Sequence, residues 1–351
     1  MNTIQKKDFE ELYNRINDYT YLDGKTILLA GGTSFLFSYF VKSLLYYNEH
    51  KAGKKLRLIV VVRNEHKARL IYKDYLNNAA LTVISSDVIK PIIVDDNIDI
   101  IVHAASQASP KYYGIDPVGT FNANVIGTFN LLEFAKEKKI KDFIFISSGE
   151  VYGSINKEAV NETDFGYIDC TNLRSCYSEG KRAGETLCVS YAHQYGINVK
   201  IIRLYHTYGP GIPFDDGRVF ADFAKNIIKK ENIVLRSNGK AVRAFCYVTD
   251  MIDGLLRVLF FGEESNAYNI ANPFQSYSIA ELAEILSNEF KDYGIKLVKE
   301  FRSKDINYIE SLNAVCLPDI SKAAALGFKP SITIQDGFKR VVEHYNLTYA
   351  N

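Results

Sequence analysis

The sequence has no apolar run near the ~18 residues needed to cross a bilayer, and its opening stretch, MNTIQKKDFEELYNRINDYT, lacks the continuous apolar core of a secretory leader. A cytoplasmic protein with no membrane partner is expected. Neither charge is in surplus: 42 basic and 41 acidic side chains leave a net +1. No broad basic field therefore exists to hold nucleic acid, and any phosphate must be bound locally. Cysteine is sparse, and Cys170, Cys176, Cys188, Cys246 and Cys316 show neither C-x-x-C spacing nor a matching histidine pattern. No metal site can be read from them, and buried free thiols are expected. Low-complexity tracts and internal repeats are missing too. With 47% apolar and 24% charged residues over 351 positions, the chain should fold as a large α/β unit with a smaller companion lobe.

Residues 1–22 carry Phe9, Leu12, Tyr13 and Ile16 at the spacing of one apolar helix face. A helical extension docked on the protein's own surface is expected there, in preference to a partner-binding arm. From Lys25 onward, short apolar runs alternate with helical stretches: TILLA, a helix near 38–47, LRLIVVV, a helix near 68–76, then LTVIS, IDIIVHAA, DFIFISS, VKIIRL and AYNIAN. Nearly continuous apolar strands separated by helices signify a parallel sheet covered on both faces, a doubly wound α/β fold. Residues 23–205 with 263–273 are assigned to this nucleotide-binding domain. Residues 206–262 with 274–351, which have few strand signals, are assigned to a smaller lobe over the sheet's carboxyl edge, where such sheets bind ligands.

The first strand runs into Gly31-Gly32-Thr33-Ser34-Phe35-Leu36-Phe37 and then a helix. A glycine turn in this setting lets backbone N–H groups and a helix N-terminus meet a pyrophosphate. The G-x-x-G-x-x-G spacing keeps Gly31 but places Ser34 and Phe37 at the other glycine positions, so an ordinary strand-to-helix turn stays open. The second strand ends in Val62-Arg63-Asn64, where an acidic residue would hold a ribose; Arg63 suits a 2′-phosphate and leaves NADP open beside NAD. Asp87 in SSDV is placed either to reach an adenine or to close a turn.

Tyr177 and Lys181 lie four apart in CYSEGKRAGETL and share one helix face. An ammonium beside a phenol favours the phenolate, which can take a proton from a hydroxyl as hydride leaves its carbon. Ser148 and Glu150 in SSGEVYG follow the strand DFIFI at the sheet edge, where these groups would meet.

With these motifs the chain resembles the extended short-chain dehydrogenase/reductases, the NAD-dependent epimerases and dehydratases of nucleotide-sugars, from about residue 25 to 345. HAASQASP, DPVGTFNANVIGTFNLLE, SSGEVYG, CYSEGKRAGET, RLYHTYGPG, DDGRVFADF, VRAFCYVTDMIDGL and PDISKAAALGFKP carry the resemblance in order. It implies a Rossmann domain binding NAD against Gly31, Ser34, Phe35, Leu36, Ala105 and Lys181. It further implies Ser148, Tyr177 and Lys181 as the hydride-transfer machinery. Ser109, His206, Arg218 and Arg243 would face a nucleoside-diphosphate sugar, and a homodimer would form through the helices near 120–138 and 177–194.

Within that family the pattern looks most like the UDP-glucuronate decarboxylases. Glu150 points to chemistry at C5, a position shared with 4,6-dehydratases but not usual in 4-epimerases. Gly149 lacks the aspartate that dehydratases place there and the serine common in decarboxylases, and His206 replaces the usual asparagine. Epimerase, dehydratase, keto-sugar reductase and a non-catalytic binding protein remain alternatives.

Overall fold

The computed structural model describes residues 1–300 and 317–349. Seven parallel strands form the central sheet: β1 (Thr26–Ala30), β2 (Arg57–Val62), β3 (Leu81–Ser85), β4 (Ile100–His103), β5 (Asp142–Ser148), β7 (Asn198–Leu204) and β11 (Asn266–Ile270). Their order, β11-β7-β5-β4-β1-β2-β3, reverses beside β1. Every residue of β1 and β4 is buried, so burial on both faces accounts for the unbroken apolar runs. The two-residue strand β6 (Ala159–Val160) lies apart, pairing with β14 (Leu317–Pro318).

Helices α2 (Phe35–His50), α3 (Glu65–Ile71), α5 (Pro117–Lys138) and α6 (Ser175–Tyr195) flank the sheet, and a short α4 (Lys111–Ile115) precedes α5. Sequence explains their ends. Ser34 caps α2 by accepting from the Phe37 N–H at 3.3 Å, Asp116 caps α5 ahead of Pro117, and Gly196, in the left-handed region, closes α6. The helix expected near 68–76 starts earlier and stops at Ile71, because Asn64 caps it and the following turn is 3-10.

The smaller lobe is less helical than expected. It holds β8 (His206–Tyr208), β10 (Val242–Tyr247) and β12 (Ser276–Ser278) in one sheet, and β9 (Ile233–Leu235) beside β13 (Leu297–Lys299). Strands of three residues leave too few alternations to be read from sequence. Helices α7 (Val219–Ile228), α9 (Ile279–Glu289) and α11 (Ile334–Tyr349) pack beside these short strands, while α8 (Val248–Phe261) and α10 (Ser321–Ala325) pack against the central sheet at β11, α8 reaching β7 as well.

The N-terminal segment docks on the protein itself. Helix α1 (Thr3–Leu12) ends sooner than its apolar spacing suggested, yet Phe9, Leu12, Tyr13 and Ile16 are all buried. The thiols depart in part from expectation. Cys188 and Cys246 are buried, Cys176 is half-buried, Cys170 is exposed, and Cys316 lies outside the described residues. Among the described residues no helix is long and apolar enough to span a membrane.

Candidate active site

The carboxyl edge of β5 sets the geometry. Side chains alternate along a strand, so its last two serines face opposite ways. Ser147 donates to Glu185 of α6 at 2.5 Å, and Glu185 in turn holds Arg203 at 2.7 and 3.0 Å. Ser148 faces the cleft, accepts the Glu150 N–H at 3.2 Å and hydrogen-bonds the Tyr177 phenol.

Tyr177 and Lys181 sit one helical turn apart on the buried face of α6, as their spacing implied. Lys181 donates to the Ile146 carbonyl at 2.6 Å and stands 5.0 Å from the Phe145 ring centroid. Burial depresses its ammonium to about 7. Burial also pushes the Tyr177 phenol up to about 12, against the opposing pull of the Ser148 hydroxyl. Burial thus works against the charged form of both groups, and the Lys181 ammonium stands 5.8 Å from the Tyr177 ring centroid.

Three residues not singled out from sequence join them. Tyr113 stacks on Tyr177 with centroids 5.3 Å apart. Arg174, just before α6, places its guanidinium 5.5 Å from the Tyr113 ring and 3.2 Å from each Glu150 carboxylate oxygen. Asp216 chelates Arg218 at 2.5 and 2.8 Å. Arg174 stands inside the RSCYSEGK stretch three residues before Tyr177, which was its one available signal. The other two act through tertiary proximity alone.

Arg218 also stacks on Phe220 and reaches Phe35 in the glycine turn, 6.0 Å away, so it bridges the lobes across the cleft. Arg243, on β10, donates to the Val242 carbonyl at 2.8 Å. His206 starts β8 opposite Phe245 of β10, and its Nδ1 is buried without a hydrogen-bond partner. Burial, helped by the charges of Arg243, Arg218 and Arg174, holds it down to about 3, so the imidazole is neutral. Ser109 is already engaged, donating to the Asp216 carbonyl at 2.5 Å, while Lys111 pairs with Asp215 at 2.8 Å. The 109–111 segment is bolted to the Arg218 loop, and Ser109 acts there as a fastening.

Gly149 is shaped by its neighbour. A Cβ there would stand 2.9 Å from two Tyr205 ring atoms, so the ring occupies the space that a side chain would need.

The glycine turn fits a dinucleotide. Gly31 has φ +96°, and a Cβ on it would strike the Ala104 and Ala105 backbone at 2.6–2.7 Å. Only glycine fits, and the turn delivers α2 with its N-terminal N–H groups outward. Ser34 caps that helix, Phe35 and Leu36 line its first turn, and the hydroxyl of Ser106, beside Ala105, is buried without a partner. Arg63 is exposed, close enough to Asp116 to help hold that carboxyl low, after the hydrogen bonds from Gln107 and Gly119. Asp87 accepts the Ile89 N–H at 3.2 Å and so closes a turn through one carboxylate oxygen.

A nucleotide cradle at the switch in strand order, facing a Ser–Tyr–Lys group across a cationic cleft, defines a redox enzyme of the short-chain dehydrogenase type. The chain belongs to the NAD dependent epimerase/dehydratase family, whose model matches residues 27–271. UDP-glucuronic acid decarboxylase 6 of Arabidopsis thaliana is 34% identical over 333 residues, covering 94% of this chain and 92% of the relative. UDP-glucuronic acid decarboxylase 1 of Xenopus tropicalis is 29% identical, covering 97% and 76%. Among solved structures, UDP-glucuronic acid 4-epimerase of Bacillus cereus, in complex with UDP-glucuronic acid and NAD, superposes with TM-score 0.77 at 23% identity over 92% of this chain and 100% of that one. A dTDP-glucose 4,6-dehydratase of Bacillus anthracis in complex with NAD gives 0.75 at 20% identity, covering 93% and 98%. These two show the shared fold.

Proposed function

We propose that the chain decarboxylates a nucleoside-diphosphate hexuronate, UDP-glucuronate being the first choice, through transient oxidation at C4. The observation that carries this is the convergence of three guanidinium groups, Arg174, Arg218 and Arg243, on His206, with Arg174 also holding Glu150 and Arg218 also acting on Tyr177 beside Ser148. A diphosphate and a carboxylate together need that much positive charge, and Arg218 and Arg174 already hold carboxylates that a ligand's anions can replace. The decarboxylase relatives support the same reading.

Gly31, Ser34, Phe35, Leu36 and Ala105 would hold NAD, which would supply reversible hydride chemistry at C4. The chain's residues do the rest. Tyr177 takes the C4 hydroxyl proton, with Ser148 fixing that oxygen and Lys181 favouring the phenolate by its charge. Once C4 is a ketone, the C5 carboxylate is a β-keto acid. Its C–C bond breaks with carbon dioxide leaving, and Ser148 and Tyr177 stabilise the enolate as hydrogen-bond donors. In this reading Glu150 relays a solvent proton to C5, and Arg243 binds the uronate carboxylate. Loss of a C6 hydroxyl would need an acid beside Glu150, and Tyr205 fills that place.

The homodimer follows from the exposed apolar side chains Phe121, Ile126 and Phe129 on α5 and Val189 and Tyr195 on α6, which a second copy would cover. A cytoplasmic location is part of the same reading. The test is product mass after incubation with a panel of nucleoside-diphosphate sugars and NAD or NADP, without added reductant. A pentose product and carbon dioxide from the uronate are expected. Water loss from a neutral hexose, or C4 inversion alone, would show the decarboxylase reading to be wrong within a correct family.

A further inference from the structure

The N-terminal arm contributes a buried node that the reaction scheme does not use. Asp8 of α1 is fully buried, and its carboxylate accepts from Tyr39 of α2 at 2.6 Å, from Tyr247 of β10 at 2.7 Å and from Arg340 of α11 at 2.5 Å. Arg340 also reaches Glu11 at 2.7 Å. Further along, Arg15 pairs with Asp250 of α8 at 2.6 Å, and Arg257 donates to the Arg15 carbonyl at 2.8 Å. A lone buried carboxylate is costly, so three partners drawn from three helices or strands signify a joint whose geometry is tightly set.

The partners are informative. Tyr39 lies on the first turns of α2, shortly after the glycine turn. Tyr247 ends the strand that begins at Val242 and carries Arg243, and that strand pairs Phe245 with His206. Asp8 therefore joins, from behind, the helix that presents the dinucleotide cradle and the strands that present Arg243 and His206. On the cleft side the two halves meet through Arg218 and Phe35.

We propose that Asp8 is a positioning residue and that the N-terminal arm is a strap setting the register between the cofactor half and the sugar half of the site. The inference rests on reading the cleft as a nucleotide-sugar site. Hydride transfer needs the two reacting carbons in near-attack contact, whereas binding either ligand needs only its own half. Loosening the strap should thus slow the chemistry and leave each ligand's affinity in place. A link in series also fails when cut at either end, so two cuts should do no more than one.

The test uses full-length Tyr39→Phe, Tyr247→Phe and the double variant, each of which removes one hydroxyl and keeps the ring. Turnover is measured on whichever sugar of the panel the wild type converts, with UDP stoichiometry and affinity by calorimetry and keto-sugar released to solution by mass. Each single variant should lose roughly tenfold or more in kcat, with KM within about twofold, and should leak keto-sugar. The double variant should be no worse than the more damaged single. Unchanged kcat, losses that multiply, or a fall in UDP stoichiometry that matches the fall in rate would each overturn the strap. A wild type inert on the whole panel overturns the enzymatic reading and the strap with it; an active wild type with unaffected variants overturns the strap alone.

Discussion

Replacing Lys181 by methionine should abolish turnover and yet, at neutral pH, make the cofactor-free protein more stable. The lysine is buried on α6 with its ammonium depressed from 10.5 to about 7, because desolvation outweighs the pull of Glu185. At about 1.4 kcal/mol per tenfold, that fall corresponds to a penalty on the order of 5 kcal/mol for keeping the charged form inside. The ammonium and the neutral amine can both donate to the Ile146 carbonyl, and losing that bond costs about 1–3 kcal/mol. The net gain for methionine, which fills the same channel beside Phe145, is then about 2–4 kcal/mol. Between about 7 and 10.5 the folded lysine binds fewer protons than the unfolded one, so wild-type stability rises with pH across that window. The variant's advantage is full below about 7 and shrinks toward the upper limit. Unfolding midpoints of both apo proteins across this range, with Tyr177→Phe as a control that loses activity by ~10²-fold or more, provide the assay. A variant less stable than wild type below neutrality, or a gap that does not narrow as pH rises, would refute the reasoning.

Two further outcomes are expected. Arg63 is exposed at the end of β2, so Arg63→Ala should leave NAD binding within about twofold; a marked NADP preference in the wild type that this change erases, read by calorimetry, would assign the arginine to a 2′-phosphate. Phe129→Asp puts a charge in the middle of the exposed apolar face of α5 and should convert a dimer to monomers in light scattering; an unaltered mass would place the subunit contact elsewhere.

What could be read from sequence follows from how local each signal is. The strands of the central sheet announce themselves because burial on both faces makes TILLA and RLIVVV continuously apolar. Tyr177 and Lys181 are legible because one helical turn fixes their relation. The short strands of the smaller lobe were not, since β8 has only three residues and gains its identity from pairing with β10. Tyr113 and Asp216 were hidden for the same reason: stacking on Tyr177 or gripping Arg218 is a property of the folded cleft. Gly149 is half-legible. Its lack of an acid could be read directly, but the cause, a ring from Tyr205 more than fifty residues away in sequence, could not.

The seating of Tyr205 over Gly149 makes those two positions one unit of inheritance and of redesign. A carboxylic acid grafted at 149 meets ring atoms 2.9 Å from its first carbon, and that ring is packed against the cluster of Val151, Tyr152 and Val160. Conversion of this scaffold to water-eliminating chemistry thus begins at Tyr205, with the change at 149 following it.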